Sequence, residues 1–536
     1  MDASIAHDRV AGRDDGDAGA ADSDEALFAG VRGHADAMIA WAGSPEALAL
    51  DNGELESRAM RDGLEFMRLL TQAHLDLRAA REQARHDVTD AGGDARTSCE
   101  DGHERTRVMI YGPVRTTRIA YRRRGRENLY PQDAELNWGE HAYSAGIVAR
   151  NAGAVAAGPF AQAVEQVSAQ GAIRLGKRQC EQLAIAAAGD FDAFYASRLP
   201  QPCPAGTGLR LTADGSAFPV LPGALRAATA KAAAARARQA AESGWPDDPS
   251  ELRKSRKRMA ELAAVADIPP APRTAGDIIT ALFGPARSSS SSSSGSGGGG
   301  GPAPEPGPHA HGKTLFASVR RPAGEVIADA FAEAHRRDPD HQRPWFAVVD
   351  GNNHQIETIT ALAAKHGVQV PILIDLIHVT QYLWKAANSF FYPGDPAARA
   401  WVKQQTATIL AGRHRDVRAG IRRRATTYGY SPAERAGADE CAAYLENKQD
   451  YLDYPAFLAA GWPVASGLIE GAARWLIKDR MEVTGARWGL DSAEAVLRLR
   501  ALRGNGDLDD YLGYHFQQEK HRNHDSRYQQ TYDLAA

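Results

Sequence analysis

The chain has few cysteines and no long apolar segment. Only four cysteines occur among 536 residues, and none forms a Cys-x-x-Cys pair, so the sequence predicts neither a disulfide framework nor a zinc site. No apolar run approaches the ~18 residues of a transmembrane helix. The N-terminus also lacks the apolar stretch of a secretory signal. These absences favour a cytoplasmic protein.

Charge is nearly balanced overall but is unevenly distributed. The formal net charge is −4, yet acidic residues crowd residues 1–25 and basic residues cluster further along. A near-neutral total therefore does not exclude a nucleic-acid partner. The 43% hydrophobic content is that of a protein able to bury a core. We expect residues 1–25, which are acidic and rich in Gly and Ala, to be a disordered tail.

Two segments near the N-terminus have the patterns of DNA-binding elements. Residues 106–124 alternate in polarity on either side of Gly112-Pro113, which predicts a basic hairpin. Residues 160–190 predict two helices separated by Gly171, a pattern compatible with a helix-turn-helix. A solvated hairpin and an ordinary helical pair are the alternatives. An amphipathic helix predicted over 54–83 is a packing or dimer helix.

Five apolar or alternating segments predict the strands of one sheet: 209–214, 258–268, 314–320, 345–350 and 368–375. Helices are predicted over 324–337 and 355–366. Three strands that can form a meander thus precede two that need crossover helices, which indicates an α/β protein with a mixed sheet. This order matches the ribonuclease H-like fold. Residues 288–312, rich in Ser, Gly and Pro, predict a flexible linker.

Three acids lie at the positions where the carboxylates of a ribonuclease H-like fold converge. Asp214 and Asp350 each end an apolar run, and Glu470 lies near the start of a helix. On one α-helix, Arg474 and Lys478 would share the face of Glu470. Such a trio suits two Mg²⁺ ions about 4 Å apart, which clamp the attacking and leaving oxygens of a phosphodiester. A lone Asp-Gly after a strand is more often a turn than a ligand.

The chain resembles bacterial insertion-sequence transposases of the ISKra4 type, which are related to the IS256 and Mutator-like DDE enzymes. The resemblance spans about residues 100–515. It is carried by Thr-Ala-Asp-Gly at 212–215, Arg-Lys-Arg-Met-Ala at 256–260, Pro-Ala-Pro-Arg-Thr at 270–274, Val-Val-Asp-Gly at 348–351, the segment 374–387 and the segment 463–488. The last two motifs are specific, whereas Asp-Gly alone is not.

The resemblance implies a metal-binding DDE triad of Asp214, Asp350 and Glu470, with Asp375 and His378 as a supporting C/D-x-x-H motif. Asp375 also ends a predicted strand and is the rival of Asp350 as second ligand. A packed histidine at a helix start is the alternative for His378. The resemblance implies Mg²⁺ as cofactor, with Mn²⁺ able to substitute. Relatives carry cysteines near the basic hairpin that this chain lacks, so zinc is not expected.

The sequence patterns and the resemblance together predict the domain boundaries of the chain. The expected parts are a tail (1–25), a helical region (26–100), a DNA-binding region (101–200), a ribonuclease H-like domain in two parts (205–378 and 461–515), a helical insertion (379–460) and a C-terminal tail (516–536). We expect phosphate contacts from Arg122, Arg123, Arg124, Lys177, Arg178, Arg256, Lys257, Arg258, Arg474, Lys478, Arg480 and Arg487.

The leading hypothesis is a DDE transposase that cleaves and joins double-stranded DNA at terminal inverted repeats. We expect it to act as a homodimer or higher oligomer on DNA, in association with the bacterial nucleoid and not with membranes. A domesticated, non-catalytic DNA-binding protein on the same scaffold is the alternative. A tyrosine recombinase is disfavoured, because the His-x-x-x-Arg at 414–418 has no convincing nucleophilic tyrosine beside it.

Overall fold

The computed structural model describes residues 24–200, 206–243, 256–284, 307–483 and 485–528. The chain divides into two compact units, one of residues 1–190 and 512–536 and the other of residues 191–511. Of the expected acidic tail, residues 1–23 lie outside the described residues. Of the expected linker, residues 288–306 also lie outside them. The end of that linker segment differs from expectation, because His311 and Gly312 begin a strand.

The first unit is mainly helical. Its helices are α1 (Ala29–Ala42), α2 (Pro45–Leu48), α3 (Asn52–Arg81), α4 (Pro131–Glu135), α5 (Ala145–Ala157), α6 (Phe160–Ala169) and α7 (Lys177–Ala187). The helix predicted over 54–83 is confirmed as α3. It begins at Asn52 because Asp51 and Glu54 form a capping box, in which the Asp51 carboxylate accepts the Glu54 N–H at 2.8 Å.

The basic hairpin is present, but its turn lies elsewhere. Strands β1 (Ser98–Met109) and β2 (Gly112–Arg122) pair antiparallel, with Met109 opposite Gly112. The turn is therefore formed by residues 110 and 111, and not by Gly112-Pro113. Proline is tolerated within β2 because Val108, its partner, gives its N–H to the carbonyl oxygen of Ala142 at 2.8 Å.

Helices α5, α6 and α7 pack against one another in the first unit. The helix pair expected over 160–190 is thus confirmed, with residues 170–176 connecting α6 to α7. Gly171 permits a close approach of two backbones, since an added Cβ would lie 2.3 Å from the Ile110 carbonyl oxygen. The side chains of Lys177 and Arg178 are exposed at the start of α7.

The second unit is built on a mixed five-stranded sheet. Its strands are β3 (Gly208–Pro219), β4 (Lys257–Ile268), β5 (His311–Ser318), β6 (Trp345–Val349) and β7 (Ile372–Ile374). Their order across the sheet is β5-β4-β3-β6-β7. Strand β4 runs antiparallel to both β3 and β5, whereas β6 and β7 run parallel to β3. The predicted α/β class and mixed sheet are confirmed.

Helices cover this sheet and extend beyond it. They are α8 (Phe191–Ser197), α9 (Ala227–Ser243), α10 (Ala275–Phe283), α11 (Ala323–Arg337), α12 (Asn353–His366), α13 (Leu376–Phe390), α14 (Pro396–Leu410), α15 (His414–Thr427), α16 (Ala436–Asn447), α17 (Tyr454–Ala459), α18 (Gly467–Ala473), α19 (Asp479–Met481) and α20 (Leu490–Asn505). A last helix, α21 (Leu508–Asn523), includes the boundary between the two units.

The core of the second unit lies between the sheet and α11. All five residues of β6 are buried, as expected for a central parallel strand. Helix α11 buries an apolar face that includes Val326, Ala330 and Phe331, and it packs against β3, β4 and β5. The residues of the expected insertion, 379–460, fold as helices α13 to α17, so its helical character is confirmed.

Two details of the sheet differ from the sequence-based expectation. The first three strands do not follow one another directly, because α9 and α10 intervene; the alanine-rich composition of α9 favours a helix. Asp214 does not end its strand either. Strand β3 continues to Pro219 because residues 216–219 pair with residues 257–260 of β4.

In the described parts of the chain, we find no helix with both the length and the apolar character needed to cross a membrane.

A buried ion network ties α11 to the sheet. Glu333 accepts hydrogen bonds from Arg336 (Nε to Oε2, 2.7 Å) and Arg337 (Nε to Oε1, 2.9 Å), and Arg337 also reaches the Asp267 carboxylate at 2.9 Å. Burial alone would raise the pKa of Glu333, but its two arginine partners hold that pKa below the ordinary value. Removing one partner leaves buried charge uncompensated.

We therefore predict that Glu333→Gln lowers the free energy of unfolding at pH 7 by about 3 kcal/mol. Because the native pKa is depressed, the carboxylate stabilises the fold above its unfolded pKa and loses this effect as the pH falls through its folded pKa. The deficit should thus shrink in acid. Urea unfolding at several pH values measures it, with the exposed Glu325→Gln on the same helix as control. An equal deficit at all pH values would contradict the ionic explanation.

Candidate active site

Two acids are brought level by the parallel pairing of β3 and β6. Leu211 lies opposite Ala347 in the register of the two strands. Asp214 and Asp350 each lie three residues beyond that pair, so they occupy neighbouring positions across the two strands. Asp214 lies within β3, whereas Asp350 directly follows the last residue of β6. The pairing thus gathers two of the three predicted carboxylates.

Asp214 is half-buried within β3. Its Oδ1 accepts the N–H of Gly215 at 2.7 Å. Burial raises the pKa of Asp214 above its ordinary value, and the negative charges of Asp350 and Glu470 raise it further, while the Gly215 amide and His378 act in the opposite direction. Asp350, Glu470 and His378 are therefore each near enough to Asp214 to act on its charge.

Asp350 is positioned by the turn that follows β6. Its Oδ1 accepts the N–H of Asn352 at 2.8 Å. Gly351 has φ +98°, and an added Cβ there would lie 2.7 Å from the Tyr444 hydroxyl oxygen. That hydroxyl donates a hydrogen bond to the Asp350 carbonyl oxygen at 3.2 Å. Glycine is therefore required after this acid, and helix α16 holds the acid's backbone from outside the sheet.

Glu470 lies in α18 with an exposed side chain. The Ser466 hydroxyl, one turn earlier, lies 3.3 Å from its Oε1. Helix α18 ends at Ala473, and a π-helical turn follows at Arg474–Lys478. The expected continuous α-helical face of Glu470, Arg474 and Lys478 is therefore not formed, because a π turn shifts the residues that follow it. Arg474 instead lies 3.7 Å from Asp479.

Asp375 is fully buried and both of its carboxylate oxygens are used within the protein. Oδ1 accepts the N–H of Ile377 at 2.5 Å and so caps α13. Oδ2 accepts the N–H of Ser466 at 2.5 Å and also the Ser466 hydroxyl. Asp375 thereby ties the start of α13 to the residue that precedes α18.

Several residues at this site escaped the sequence analysis. Glu261 of β4 lies opposite Gly215. Its pKa is raised chiefly by burial and also by Asp214, while Arg226 and His354 act in the opposite direction. An acid within an otherwise apolar strand was a signal that could have revealed it. Tyr444 and Ser466 had no such signal, since both act through contacts with residues roughly ninety positions away in sequence.

The predicted DNA-binding cations fall into two groups. Six have partners in the structure: Arg122 with Glu100, Arg123 with Asp94, Lys257 with Glu482, Arg258 with the carbonyl oxygens of Val319 and Ala224, Arg474 with Asp479, and Arg480 over the Trp488 ring. The others form no ion pair within the described ranges: Arg124, Lys177, Arg178, Arg256, Lys478 and Arg487. The second group is the freer to contact phosphates.

The three carboxylates, Asp214, Asp350 and Glu470, are the expected ligands of a divalent cation. Within the described segments, no group of three or more His, Cys, Asp or Glu side chains is placed to hold a metal ion. The donor chemistry nevertheless suits Mg²⁺, which prefers carboxylate oxygens and retains several waters. The mutual repulsion that raises the pKa of Asp214 is also what a bound divalent cation would offset.

No protein-family model matches the chain, and a search of the curated proteins finds no significant match. Inference about its function therefore depends on the geometry of this acidic cluster.

The burial of Asp214, together with repulsion by Asp350 and Glu470, predicts a gain in stability on its neutralisation. A carboxyl whose pKa is raised on folding destabilises the folded state when ionised, and the penalty disappears as the pH falls below that pKa. Asp214→Asn should therefore raise the free energy of unfolding at pH 7 by about 1 kcal/mol, with the gain fading in acid. Thermal unfolding without divalent cations measures this, with the exposed Asp340→Asn as control. A loss of stability in Asp214→Asn would contradict the proposed repulsion.

Proposed function

We propose that the protein is a DDE-type transposase that catalyses metal-dependent cleavage and strand transfer of double-stranded DNA. The observation that supports this proposal is that Asp350, at the end of β6, and Glu470, on α18, are each near enough to Asp214 of β3 to act on its charge. A ribonuclease H-like fold gathers its carboxylates in this way. The sheet order, with β4 antiparallel to its neighbours and β6 and β7 parallel to β3, supports the same fold.

In this proposal the three acids hold Mg²⁺, and Mn²⁺ can replace it. When bound, the metal supplies activation of a water or 3′-hydroxyl nucleophile and stabilisation of the leaving oxygen. Asp214 and Asp350 contribute oxygens from a rigid sheet, whereas Glu470 comes from a helix that Ser466 and Asp375 anchor. His378 places an imidazole near enough to Asp214 to act on the charge of that acid.

DNA contacts are proposed for the exposed cations of both units. Lys177 and Arg178 begin α7 in the first unit, where a helix N-terminus also favours a phosphate. Lys478 and Arg487 lie beyond Glu470 in the second unit. Binding through such phosphate contacts weakens steeply as salt concentration rises. A second copy of the chain on the DNA belongs to the same proposal.

The decisive assay is cleavage and strand transfer of DNA carrying the element's terminal sequences, with Mg²⁺ or Mn²⁺. We predict that Asp214→Asn and Glu470→Gln each lower the rate by roughly 10³-fold or more, because each removes a ligand from the metal site. Asp340→Asn, an exposed acid of the same unit, is the matched control and should retain the wild-type rate. Full activity in either site variant would refute the assignment.

Ser466 offers a test of how Glu470 is held. Ser466→Ala keeps the backbone N–H that reaches Asp375 but removes the hydroxyl that lies between Asp375 and Glu470. We predict that kcat falls roughly tenfold, while the KM for DNA changes little, because a misplaced carboxylate affects the reaction more than binding. Thr408→Ala, which removes a hydroxyl bonded within its own helix, is the control. A rise in KM at constant kcat would contradict this role.

A non-catalytic DNA-binding protein on this scaffold is the second candidate. It is favoured by one observation, namely that no metal-binding group of side chains is formed within the described residues. Footprinting and the cleavage assay separate the two functions. Protection of terminal DNA without cleavage in either metal would favour the second candidate, and metal-dependent cleavage would exclude it.

A further inference from the structure

An open pocket of about 660 Å³ lies in the second unit, and part of its wall is α18, the helix that carries Glu470. Parts of β3, α10 and α13 and the residues that lead into β5 also line it. Three cations line it, Arg210, Arg273 and Lys313, and no Asp or Glu occurs among its described lining residues. A pocket with cations and no acids is suited to an anion.

Arg210 is the most buried of these cations, with 4% of its surface exposed. Its Nη2 donates to the Ala465 carbonyl oxygen at 2.9 Å, but its Nε has no hydrogen-bond partner, and it forms no ion pair with any described residue. Asp375 is near enough to act on its charge, but both oxygens of that acid already accept hydrogen bonds. Burial lowers the pKa of Arg210 to about 10, so it remains cationic at neutral pH.

Arg273 adds a second guanidinium with unused hydrogen-bonding capacity. Its Nη2 lies 3.5 Å from the Trp462 carbonyl oxygen, and its Nε is buried without a partner. Both arginines that line this pocket thus keep an Nε group that is available to donate to a bound anion. Guanidinium groups bind phosphate oxygens with charge-assisted hydrogen bonds in a fixed geometry.

The rest of the wall is apolar and leaves room for a larger group than phosphate. Ile278, Leu376 and Leu468 line it. Gly467 and Gly471 also line it, one helical turn apart on α18, and nothing lies within 4 Å of a Cβ added at either position. These two glycines therefore leave open space over the helix that carries Glu470.

We infer that this pocket binds one nucleotide, with its phosphate on Arg210 and Arg273 and its base in the apolar part beside Gly467 and Gly471. The ligand is a free nucleotide or an unstacked unit of a DNA strand. The second source rests on the proposed function, because it needs a strand held at the neighbouring carboxylates. The nucleotide site itself requires no catalysis.

The test is calorimetric titration of the full chain, without divalent cations, with deoxyadenosine monophosphate and with a short single-stranded oligonucleotide. Gly471→Leu, whose Cβ would meet open space, should occupy part of the pocket and weaken binding at least about tenfold while the protein stays folded. Arg273→Ala should weaken it by about tenfold through loss of charge-assisted hydrogen bonds. Gly420→Leu is the matched control, since Gly420 is an exposed helical glycine that also has open space above it.

The outcomes distinguish a free nucleotide from a unit of a DNA strand as the ligand. They also distinguish failure of the nucleotide site from failure of the proposed function. A response of the mononucleotide identifies a free nucleotide as a sufficient ligand, and a response of the oligonucleotide alone identifies a unit of a strand. Binding of both probes that is unchanged in Gly471→Leu and Arg273→Ala, or no binding by the wild type, would overturn the inference. Absence of metal-dependent cleavage with nucleotide binding intact would count against the proposed function only.

Discussion

The parallel pairing of β3 with β6 is the constraint on which the acidic cluster depends. It sets Leu211 opposite Ala347 and so brings Asp214 level with Asp350. A shift of one residue in this register would turn the side chains of one strand to the other face of the sheet. The register is held by burial on both sides, since every residue of β6 and residues 208–213 of β3 are buried. The core thereby determines where the two carboxylates meet.

The third acid depends on a polar connection. Asp375 follows β7 and accepts hydrogen bonds from Ser466, which lies one turn before Glu470. A fully buried carboxylate with both oxygens hydrogen-bonded is a strong positional restraint. Asp375 thus follows a strand, as Asp350 does, but serves as a structural anchor. Because both oxygens of Asp375 are already hydrogen-bonded, Asp350 is favoured over Asp375 as the acid available to a metal ion.

Much of the sheet could be predicted from the sequence, because a buried strand has the sequence pattern of a short apolar run. Trp345–Val349 is such a run, and helix α11 has clear amphipathic spacing. The extent of β3 could not be predicted, since the Asp-Gly at 214–215 is locally typical of a turn and only pairing with β4 extends the strand. For the same reason the hairpin turn was placed wrongly at Gly112-Pro113.

The candidate site was predictable only in part. Asp214, Asp350 and Glu470 were identified by their places in the strand order and by a family resemblance. Glu261, Ser466 and Arg210 were missed, because their roles arise from packing between distant segments. The π turn at Arg474–Lys478 was also missed, since local spacing predicts a regular helix there. Sequence patterns thus located the acids but not the residues that hold them.

Titration of the full chain with Mn²⁺, with free Mn²⁺ followed by electron paramagnetic resonance, measures whether the three carboxylates form one divalent-cation site. We expect the wild type to bind Mn²⁺ and the doubly substituted Asp214→Asn, Glu470→Gln protein, shown to be folded by circular dichroism, to lose this binding. Equal Mn²⁺ binding by the two proteins would contradict a site formed by these carboxylates.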